Sequence, residues 1–171
     1  MKKNMIYFIT GGARSGKSSY AQKLALQLSD EPIYIATSRV WDDDYKKRIE
    51  RHKKDRDNRF ISFEEEKFIS RLEIENKTAV IDCITLWLAN FFTDNKNEIE
   101  KTLEETKSEL QKIFQKNCSL IIISNEIGMG VHAESESGRK FTDLQGWINQ
   151  LIAEKADKVF LMVSGIPIQI K

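Results

Sequence analysis

Eight residues near the start of the sequence have the types and spacing of a phosphate-binding loop. Gly11–Ser18 reads Gly-Gly-Ala-Arg-Ser-Gly-Lys-Ser and matches the pattern G-x-x-x-x-G-K-[ST] in full. The glycines of this pattern let backbone N–H groups converge on an anion. We expect Lys17 to reach the β- and γ-phosphates of a nucleotide and Ser18 to hold Mg²⁺. The alternative is a glycine-rich turn that binds no phosphate. The candidate contacts are Gly11, Gly12, Ala13, Arg14, Ser15, Gly16, Lys17 and Ser18.

The residues on either side of this loop support the phosphate-binding interpretation. An apolar run of strand length, Met5–Thr10, precedes it, and Ser19–Leu28 reads as a helix. A strand, a glycine-rich turn and the start of a helix are the context that separates this motif from a chance match. The partial positive charge of the helix amino terminus would add to the attraction for phosphate.

A second metal contact is predicted at Asp82, which ends the apolar run Ala79-Val-Ile-Asp. In enzymes with a phosphate loop, an acid at the end of a neighbouring strand binds Mg²⁺ directly or through water. Taken alone the pattern is weak, because many strands end in an aspartate that caps the following helix.

His52 is the candidate nucleophile, although its surroundings also fit a surface histidine on a charged helix. Neutral imidazole can attack phosphorus and form a phosphoramidate, which splits one transfer into two steps. Basic side chains around it would help to hold a triphosphate. The other histidine, His132, has no such cluster. The basic residues are Arg48, Arg51, Lys53 and Arg56.

The remaining elements predict how these residues are brought together. Apolar runs alternate with helical patterns, which indicates a parallel sheet covered on both faces. Ligands of such sheets gather at the carboxyl ends of the strands. The predicted later strands are Pro32–Thr37, Lys77–Asp82, Ser119–Asn125, Lys158–Val163 and an antiparallel edge strand, Ile166–Ile170. The predicted helices are Asp42–Lys54, Ile84–Phe92, Asn97–Lys116 and one marked by Phe141, Leu144, Ile148, Leu151 and Ile152. The predicted site therefore combines the phosphate loop with Thr37, Ser38, Asp82, Cys83, Asn125 and Glu126.

Composition fits one domain with one core over residues 1–171, with 40% hydrophobic and 31% charged residues. The net charge of +1 gives no electrostatic footprint for nucleic acid. Two cysteines without metal-type spacing argue for a reduced, cytoplasmic protein. No stretch has transmembrane length, and the apolar run before Gly11 is too short for a signal peptide.

Several segments, spread over almost the whole chain and in the same order, resemble one family. It is the bifunctional adenosylcobinamide kinase/adenosylcobinamide-phosphate guanylyltransferase family of cobalamin biosynthesis. The segments are Gly11–Ser18, Tyr34-Ile-Ala-Thr-Ser38, Arg48-Ile-x-x-His-Lys53, Asp82-Cys-Ile-Thr-Leu-Trp-Leu88, Ser124-Asn-Glu-x-Gly-Met-Gly130 and Val163-Ser-Gly-Ile166.

The resemblance implies a set of site residues and partners. It makes His52 the residue that becomes guanylylated, and it implies Mg²⁺, GTP and ATP as ligands and a homotrimeric assembly. Glu64 matches a family Trp-x-Thr-x-Glu pattern with Phe60 and Ser62 substituted, although it could be only a solvated charge in an acidic run. The implied nucleotide contacts beyond the loop are Ala36, Thr37, Ser38, Lys53, Lys54, Asp55, Arg56, Glu64 and Asp82.

The chain departs from the family pattern in two places. The family often has two adjacent histidines where this chain has Arg51-His52. After Gly130 the family commonly has Val-Pro followed by an arginine, and this chain has a different loop, Val131–Arg139. The loop difference bears on recognition of the corrinoid, although Arg139, Asp143, Asn149 and Gln150 still resemble the family.

We therefore predict an α/β domain of the RecA-like P-loop NTPase type, three-layered α/β/α, mostly parallel with a C-terminal antiparallel edge strand. Its expected activity is phosphorylation of adenosylcobinamide followed by transfer of GMP through His52. The alternatives are a P-loop kinase of another small alcohol and a non-catalytic nucleotide switch. Phe91, Phe92 or Trp147 would belong either to a trimer interface or to the core.

Overall fold

A computed structural model of the chain describes residues 4–40 and 57–171. Within these residues, seven strands form one sheet in the order β3-β2-β4-β5-β1-β6-β7. Every neighbouring pair is parallel except β6 and β7, which are antiparallel. The strands are β1 Ile6–Gly11, β2 Ile33–Ala36, β3 Ile61–Glu64, β4 Thr78–Asp82, β5 Ser119–Ile123, β6 Lys158–Val163 and β7 Ile166–Gln169.

Four α-helices and a short 3-10 turn accompany the sheet in the described part of the chain. The helices are α1 Lys17–Leu28, α2 Ile84–Asp94, α3 Ile99–Phe114 and α4 Glu136–Lys155, and the turn is Ile69–Arg71. Helix α4 is capped by Ser135, whose hydroxyl accepts a 3.0 Å hydrogen bond from the Gly138 N–H. The predicted helix Asp42–Lys54 lies outside the described residues.

Alternation along the strands divides the core into two layers. In β2, Ile33 and Ile35 face a cluster that is completed by α2, α3 and α4, whereas Tyr34 and Ala36 face the side that holds α1. Side chains of a strand point to opposite faces in turn, so the five inner strands, β1, β2, β4, β5 and β6, each contribute to both layers. The predicted three-layer architecture with an antiparallel edge strand is confirmed.

Helix α2 packs its aromatic side chains inside the first of these layers. Phe91 and Phe92 are 2% and 5% exposed and belong to the core, whereas Trp147 of α4 is 43% exposed. Of the three aromatics considered for an interface, only Trp147 therefore reaches the surface. A search of the described residues finds no helix long and apolar enough to span a membrane.

Strand β3 is the element that the sequence did not reveal as a strand. Its four residues are exposed, exposed, half-buried and exposed, so they lack the apolar run that marked the other parallel strands. As an edge strand it borders only β2 in the sheet. Other predicted boundaries shift by one or two residues. The edge position predicted for Pro167 is confirmed, because β7 pairs with β6 alone.

Candidate functional site

The predicted phosphate loop connects the carboxyl end of β1 to the start of α1. Gly11 has a φ of 146°, and a Cβ there would lie 2.6 Å from the backbone oxygen of Met162. Gly16 precedes the helix with a φ of 93°, in the left-handed region. Both positions therefore need glycine, the first for space beside β6 and the second for its backbone angle.

Lys17 is folded over this loop. Its side chain is buried, and its Nζ donates hydrogen bonds to the carbonyl oxygens of Gly11 (2.9 Å) and Gly12 (2.7 Å). Burial lowers the pKa of Lys17 from its ordinary value, whereas interactions with Cys83 and Asp82 oppose the shift. The ammonium group thus lies where a phosphate could replace the two carbonyls as its partner.

Two hydroxyls of this segment are buried and have no hydrogen-bond partner among the described residues. They are Ser15 Oγ in the loop and Thr10 Oγ1 at the end of β1. Buried polar atoms are almost always satisfied by protein, water or a ligand. Gly12, Ala13 and Arg14 are exposed at the tip of the loop, and Ser18 is half-buried in the first turn of α1. The loop therefore has an exposed tip and, at Ser15, a buried hydroxyl that a bound phosphate or water would satisfy.

Asp82 ends β4, with β5 lying between that strand and β1. The Tyr34 hydroxyl donates a short hydrogen bond to its Oδ2 atom, which fixes the half-buried carboxylate. The following peptide bond, to Cys83, is cis. Burial raises the pKa of the Cys83 thiol to about 12, so this neighbour stays a neutral thiol.

The sheet register brings three predicted nucleotide contacts into one row. Ala36 of β2 pairs with Glu64 of β3 on one side and with Asp82 of β4 on the other. Glu64 is exposed, and Ala36 is buried. Because parallel strands end at the same edge, this row leads along the carboxyl ends towards the phosphate loop. The strand order thus places these three positions at one edge of the sheet.

Thr37 is locked against the strand that carries Asp82. Its Oγ1 atom accepts a hydrogen bond from the Cys83 N–H (2.9 Å) and donates one to the Cys83 carbonyl (2.8 Å). Its own N–H donates to the Asp82 carbonyl at 3.0 Å. These three bonds fix the position of the end of β2 relative to the end of β4.

Helix α2 clamps the ends of β2 and β3 through two buried side chains. Asn90, which is 0% exposed, donates to the carbonyls of Thr37 (2.8 Å) and Glu66 (3.0 Å). The Trp87 Nε1–H donates to the Lys67 carbonyl at 2.8 Å. The helix begins directly after Asp82 and Cys83, so one element orders the three strand ends that carry the predicted contacts.

Arg39 adds an ionic tie to the same region. Its guanidinium group pairs with Asp94 at 2.8 Å and with Glu66 at 2.6 Å. Lys67 also reaches Asp94, at 3.0 Å. Hydrogen bonds from Arg39 first and Lys67 second lower the pKa of Asp94 to about 2. Sequence reasoning missed Arg39, Asn90 and Asp94; the position of Arg39 directly after the Ala-Thr-Ser segment was the only available signal.

The end of β5 is joined to the phosphate loop by a backbone bond. The Glu126 N–H donates to the Gly11 carbonyl at 3.0 Å. Behind it, Ser124 donates to Asn149 Oδ1 (2.7 Å), and Gln145 donates to Ser124 Oγ (2.8 Å). This buried network holds the predicted Asn125–Glu126 segment beside the loop. Asn149 therefore has a structural role in α4 that its resemblance to the family did not indicate.

Some predicted residues fall elsewhere. His52 and the contacts Lys53, Lys54, Asp55 and Arg56 lie outside the described residues. His132 is exposed, and Arg139 uses its Nη1 to bind the carbonyls of Ala133 and Glu134 at 3.1 and 2.6 Å. Asp143 and Gln150 are exposed on α4.

A metal ion would find few protein ligands here. In the described ranges, no group of three or more histidine, cysteine, aspartate or glutamate residues is arranged to bind one. The Ser18 hydroxyl and the Asp82 carboxylate are hard oxygen donors, which suit a Mg²⁺ ion that takes its remaining ligands from phosphate and water. The donor set therefore fits Mg²⁺ bound together with a nucleotide.

Comparison with known proteins agrees with this geometry. The family model "Cobinamide kinase / cobinamide phosphate guanyltransferase" matches residues 7–170. The bifunctional adenosylcobalamin biosynthesis protein CobU of Escherichia coli (strain K12) is 34% identical over 182 residues, with 98% of this chain and 100% of that protein covered. The corresponding protein CobP of Pseudomonas aeruginosa is 34% identical over 168 residues, with 95% of each covered.

Among solved structures, flagellar accessory protein FlaH from Methanocaldococcus jannaschii overlaps 98% of this chain and 78% of its own, at 14% identity and a TM-score of 0.46. The match to the family model extends over nearly the whole chain, and the resemblance predicted from the motifs is confirmed. The chain belongs to the cobinamide kinase/cobinamide phosphate guanyltransferase family of bifunctional enzymes.

Proposed function

We propose that this protein phosphorylates adenosylcobinamide with a nucleoside triphosphate and then transfers GMP from GTP to the product, giving adenosylcobinamide-GDP. The observation that carries the proposal is the phosphate loop with Lys17 folded over it, in a chain whose family match covers residues 7–170. The sheet register adds Asp82, Ala36 and Glu64 in one row at the same edge.

In the first reaction, the oxygen of the aminopropanol hydroxyl attacks the γ-phosphorus. The bond to the oxygen that bridges the β- and γ-phosphates breaks, a nucleoside diphosphate leaves, and the hydroxyl proton is released. Lys17 exchanges its carbonyl partners for phosphate oxygens and stabilises the charge that moves onto the leaving group. The loop N–H groups hold the phosphates in line, so catalysis rests on positioning and electrostatics.

In the second reaction, neutral His52 attacks the α-phosphorus of GTP. A P–N bond forms, the bond to the leaving oxygen breaks, and pyrophosphate departs. An oxygen of the phosphorylated substrate then attacks the same phosphorus, and the P–N bond breaks to restore the histidine. Lys17 and the loop would hold the departing pyrophosphate, and Lys53, Lys54, Asp55 and Arg56 are proposed contacts for the bound nucleotide.

Mg²⁺ is the proposed metal, held by Ser18 and Asp82. When bound, it would neutralise phosphate charge during both transfers. The Tyr34 hydroxyl, which donates to Asp82 Oδ2, would keep the carboxylate in its ligating orientation.

The decisive experiment compares GTP labelled at the α-phosphate with GTP labelled at the γ-phosphate. We expect only the α-label to remain on the protein, as an adduct that is labile in acid and stable in base. Mass spectrometry should place a GMP-sized gain on His52. His132→Ala is the matched control, because this exposed histidine should be dispensable.

The same labelling, together with an assay of cobinamide turnover, separates the alternatives. A kinase for another alcohol would turn over triphosphate without keeping the α-label, and a nucleotide switch would not turn over cobinamide at all. Either result would remove the transferase from the proposal.

We also propose a homotrimer in the cytoplasm. Both cysteines are buried and free, which is compatible with a reducing compartment. Light scattering of the purified protein would measure the assembly, and a monomeric mass would contradict it.

A further inference from the structure

We propose that Asn149 of helix α4 is a positioning residue for phosphate binding, acting through the peptide bond between Asn125 and Glu126. This peptide supplies a backbone donor that stays on the Gly11 carbonyl when Lys17 leaves that carbonyl for a phosphate. The inference rests on the proposed function, since that function requires Lys17 to exchange its carbonyl partners for phosphate oxygens.

Lys17 shares each of its two carbonyl partners with a backbone donor. The Gly11 carbonyl accepts the Lys17 ammonium at 2.9 Å and the Glu126 N–H at 3.0 Å. The Gly12 carbonyl accepts the same ammonium at 2.7 Å and the Ser15 N–H at 3.3 Å. A carbonyl oxygen has two lone pairs, so both donors can bind at once. Each carbonyl therefore keeps one hydrogen bond when the lysine leaves.

The bond from Glu126 is the more important of the two, because Gly11 and Gly12 differ in burial. Gly12 is exposed, so water can take the place of the lysine on its carbonyl. Gly11 is buried, and a buried carbonyl left without a donor costs the free energy of its desolvation. Release of Lys17 at low cost therefore depends on the Glu126 N–H.

The peptide that carries this N–H is oriented from helix α4. In a trans peptide, the Glu126 N–H and the Asn125 carbonyl point in opposite directions. The Asn125 carbonyl accepts a hydrogen bond from Asn149 Nδ2 at 3.2 Å, and Asn149 is 8% exposed. Because the peptide is planar, holding its carbonyl at Asn149 directs its N–H towards Gly11. One rigid plane thus connects α4 to the phosphate loop.

The side chain of Asn149 is itself fixed, and a second helix holds the same segment. Asn149 Oδ1 accepts from the Ser124 hydroxyl at 2.7 Å and from Gln145 Nε2 at 3.0 Å, which leaves Nδ2 to donate to Asn125. The Asn125 N–H donates to Thr85 Oγ1 of α2 at 2.9 Å. Asn125 is therefore held at its N–H by α2 and at its carbonyl by α4.

Nucleotide binding by two variants tests this role. Asn149→Leu removes the donor to the Asn125 carbonyl, and Thr85→Val removes the acceptor of the Asn125 N–H. For each, calorimetry with a non-hydrolysable GTP analogue and Mg²⁺ should show a Kd raised about tenfold, because Lys17 would then leave a buried carbonyl without a donor. An unchanged Kd in both variants would overturn the inference.

The matched controls remove buried polar groups that do not bond to this peptide. Gln145 is 1% exposed, and Gln145→Leu leaves Asn149 Oδ1 bonded to Ser124. Thr106 is 0% exposed and donates within α3, to the Thr102 carbonyl at 2.6 Å. Gln145→Leu and Thr106→Val should keep the Kd of the parent even where thermal melting shows a loss of stability. An equal rise of the Kd in the controls would make Asn149 a structural residue only.

A double-mutant cycle separates positioning from a general loss of stability. In the Lys17→Ala background no lysine has to leave the Gly11 carbonyl, so adding Asn149→Leu should no longer raise the Kd. Both proteins of this background are titrated at nucleotide concentrations raised to match their weaker binding. A tenfold rise that persists there would overturn the inference. Absence of binding by the parent would instead contradict the phosphate site, and with it both the proposed function and this inference.

Discussion

The two sides of the phosphate loop are built differently. Towards β4, β2 and β3, the strand ends are tied by buried polar side chains, with Asn90 and Thr37 both 0% exposed. Towards β6 and β7, support comes from the backbone, through the pairing of Gly11 with Met162 and the bond from the Gly165 N–H to the Ser15 carbonyl, and the exposed side chains Val163 and Ile166 are aliphatic. A polar, rigid side suits recognition of one base by hydrogen bonds.

Lys17→Ala should have the largest effect, because Lys17 lies in the loop between the two sides and is proposed to act in both reactions. We expect turnover in phosphorylation and the rate of GMP labelling each to fall at least about a hundredfold, as loss of a charge-stabilising donor does. Both rates are measured with the folded protein, checked by circular dichroism. Lys23→Ala, an exposed lysine on the same helix, should behave as the parent. Near-normal rates in Lys17→Ala would remove the loop from catalysis.

His52→Ala should separate the two reactions completely. We expect no covalent GMP above background, because the variant lacks the nucleophile that forms the P–N bond. Phosphorylation should continue, because it depends on Lys17 and Mg²⁺ and not on His52. Labelling of the parent should also decline in acid, because a protonated imidazole has no lone pair for attack; ordinary histidine titrates at about pH 6.5. Retention of α-label by the variant would assign the nucleophile to another residue.

Asn90→Leu should weaken GTP binding at the polar side of the loop, towards β4, β2 and β3. The change keeps the size of the side chain but leaves the Thr37 and Glu66 carbonyls without their donor, which costs about 1–3 kcal/mol of unfolding free energy. The GTP concentration for half-maximal labelling should rise about tenfold, as a loss in that range predicts. The Kd of a non-hydrolysable ATP analogue, measured by calorimetry, should change less.

Asn95→Leu is the control for this prediction. Asn95 directly follows the carboxyl end of the same helix, is 7% exposed, and donates to Thr102 Oγ1 and Glu105 Oε2. It should lower the unfolding free energy without the shift in GTP labelling. If the two variants change GTP labelling alike, Asn90 supports the fold and has no positioning role.

Asp82→Asn should raise the Mg²⁺ concentration needed for half-maximal phosphorylation by about tenfold, because an amide is a poorer ligand for a hard cation than a carboxylate. Titration of Mg²⁺ at fixed nucleotide measures the effect. Excess Mg²⁺ should recover most of the rate. An unchanged titration would make Asp82 a structural strand end.

Asp94→Asn should have the smallest effect, a loss of stability that is present above about pH 4 and disappears in acid. The pKa of Asp94 is about 2 in the folded protein against an ordinary value of 3.8, so the folded state binds this proton less readily. Its contribution to stability is therefore complete above about pH 4 and is lost as the pH falls towards 2. The variant should show a flatter decline of unfolding free energy across that window. An unchanged slope would mean that Arg39 and Lys67 do not stabilise the ionised form.

Local patterns predicted one part of the site and tertiary packing built the other. The phosphate loop, Asp82 and the strand ends were predictable because motif spacing and apolar runs are local properties. Asn90 and Arg39 were not, since they meet Thr37 and Asp94 across 53 and 55 residues of chain. Nothing local distinguishes either residue from an ordinary helix or loop residue.

Strand β3 and Lys17 show two further limits of local reasoning. β3 was missed because its exposed side chains lack an apolar run, although its position beside β2 makes it a strand. The contacts of Lys17 with the Gly11 and Gly12 carbonyls were also not predictable, since the motif describes the nucleotide-bound partner and not the resting one.

Strand β1 lies between β5 and β6, whose residues follow it by more than a hundred positions. During synthesis the loop sequence therefore emerges first, but its neighbours and the glycine that supports it emerge last. Contacts of such long sequence separation slow folding and leave the early segments exposed. An amino-terminal fragment that contains the complete motif should consequently bind no nucleotide, and the ability to bind should arise only when the last hairpin has folded.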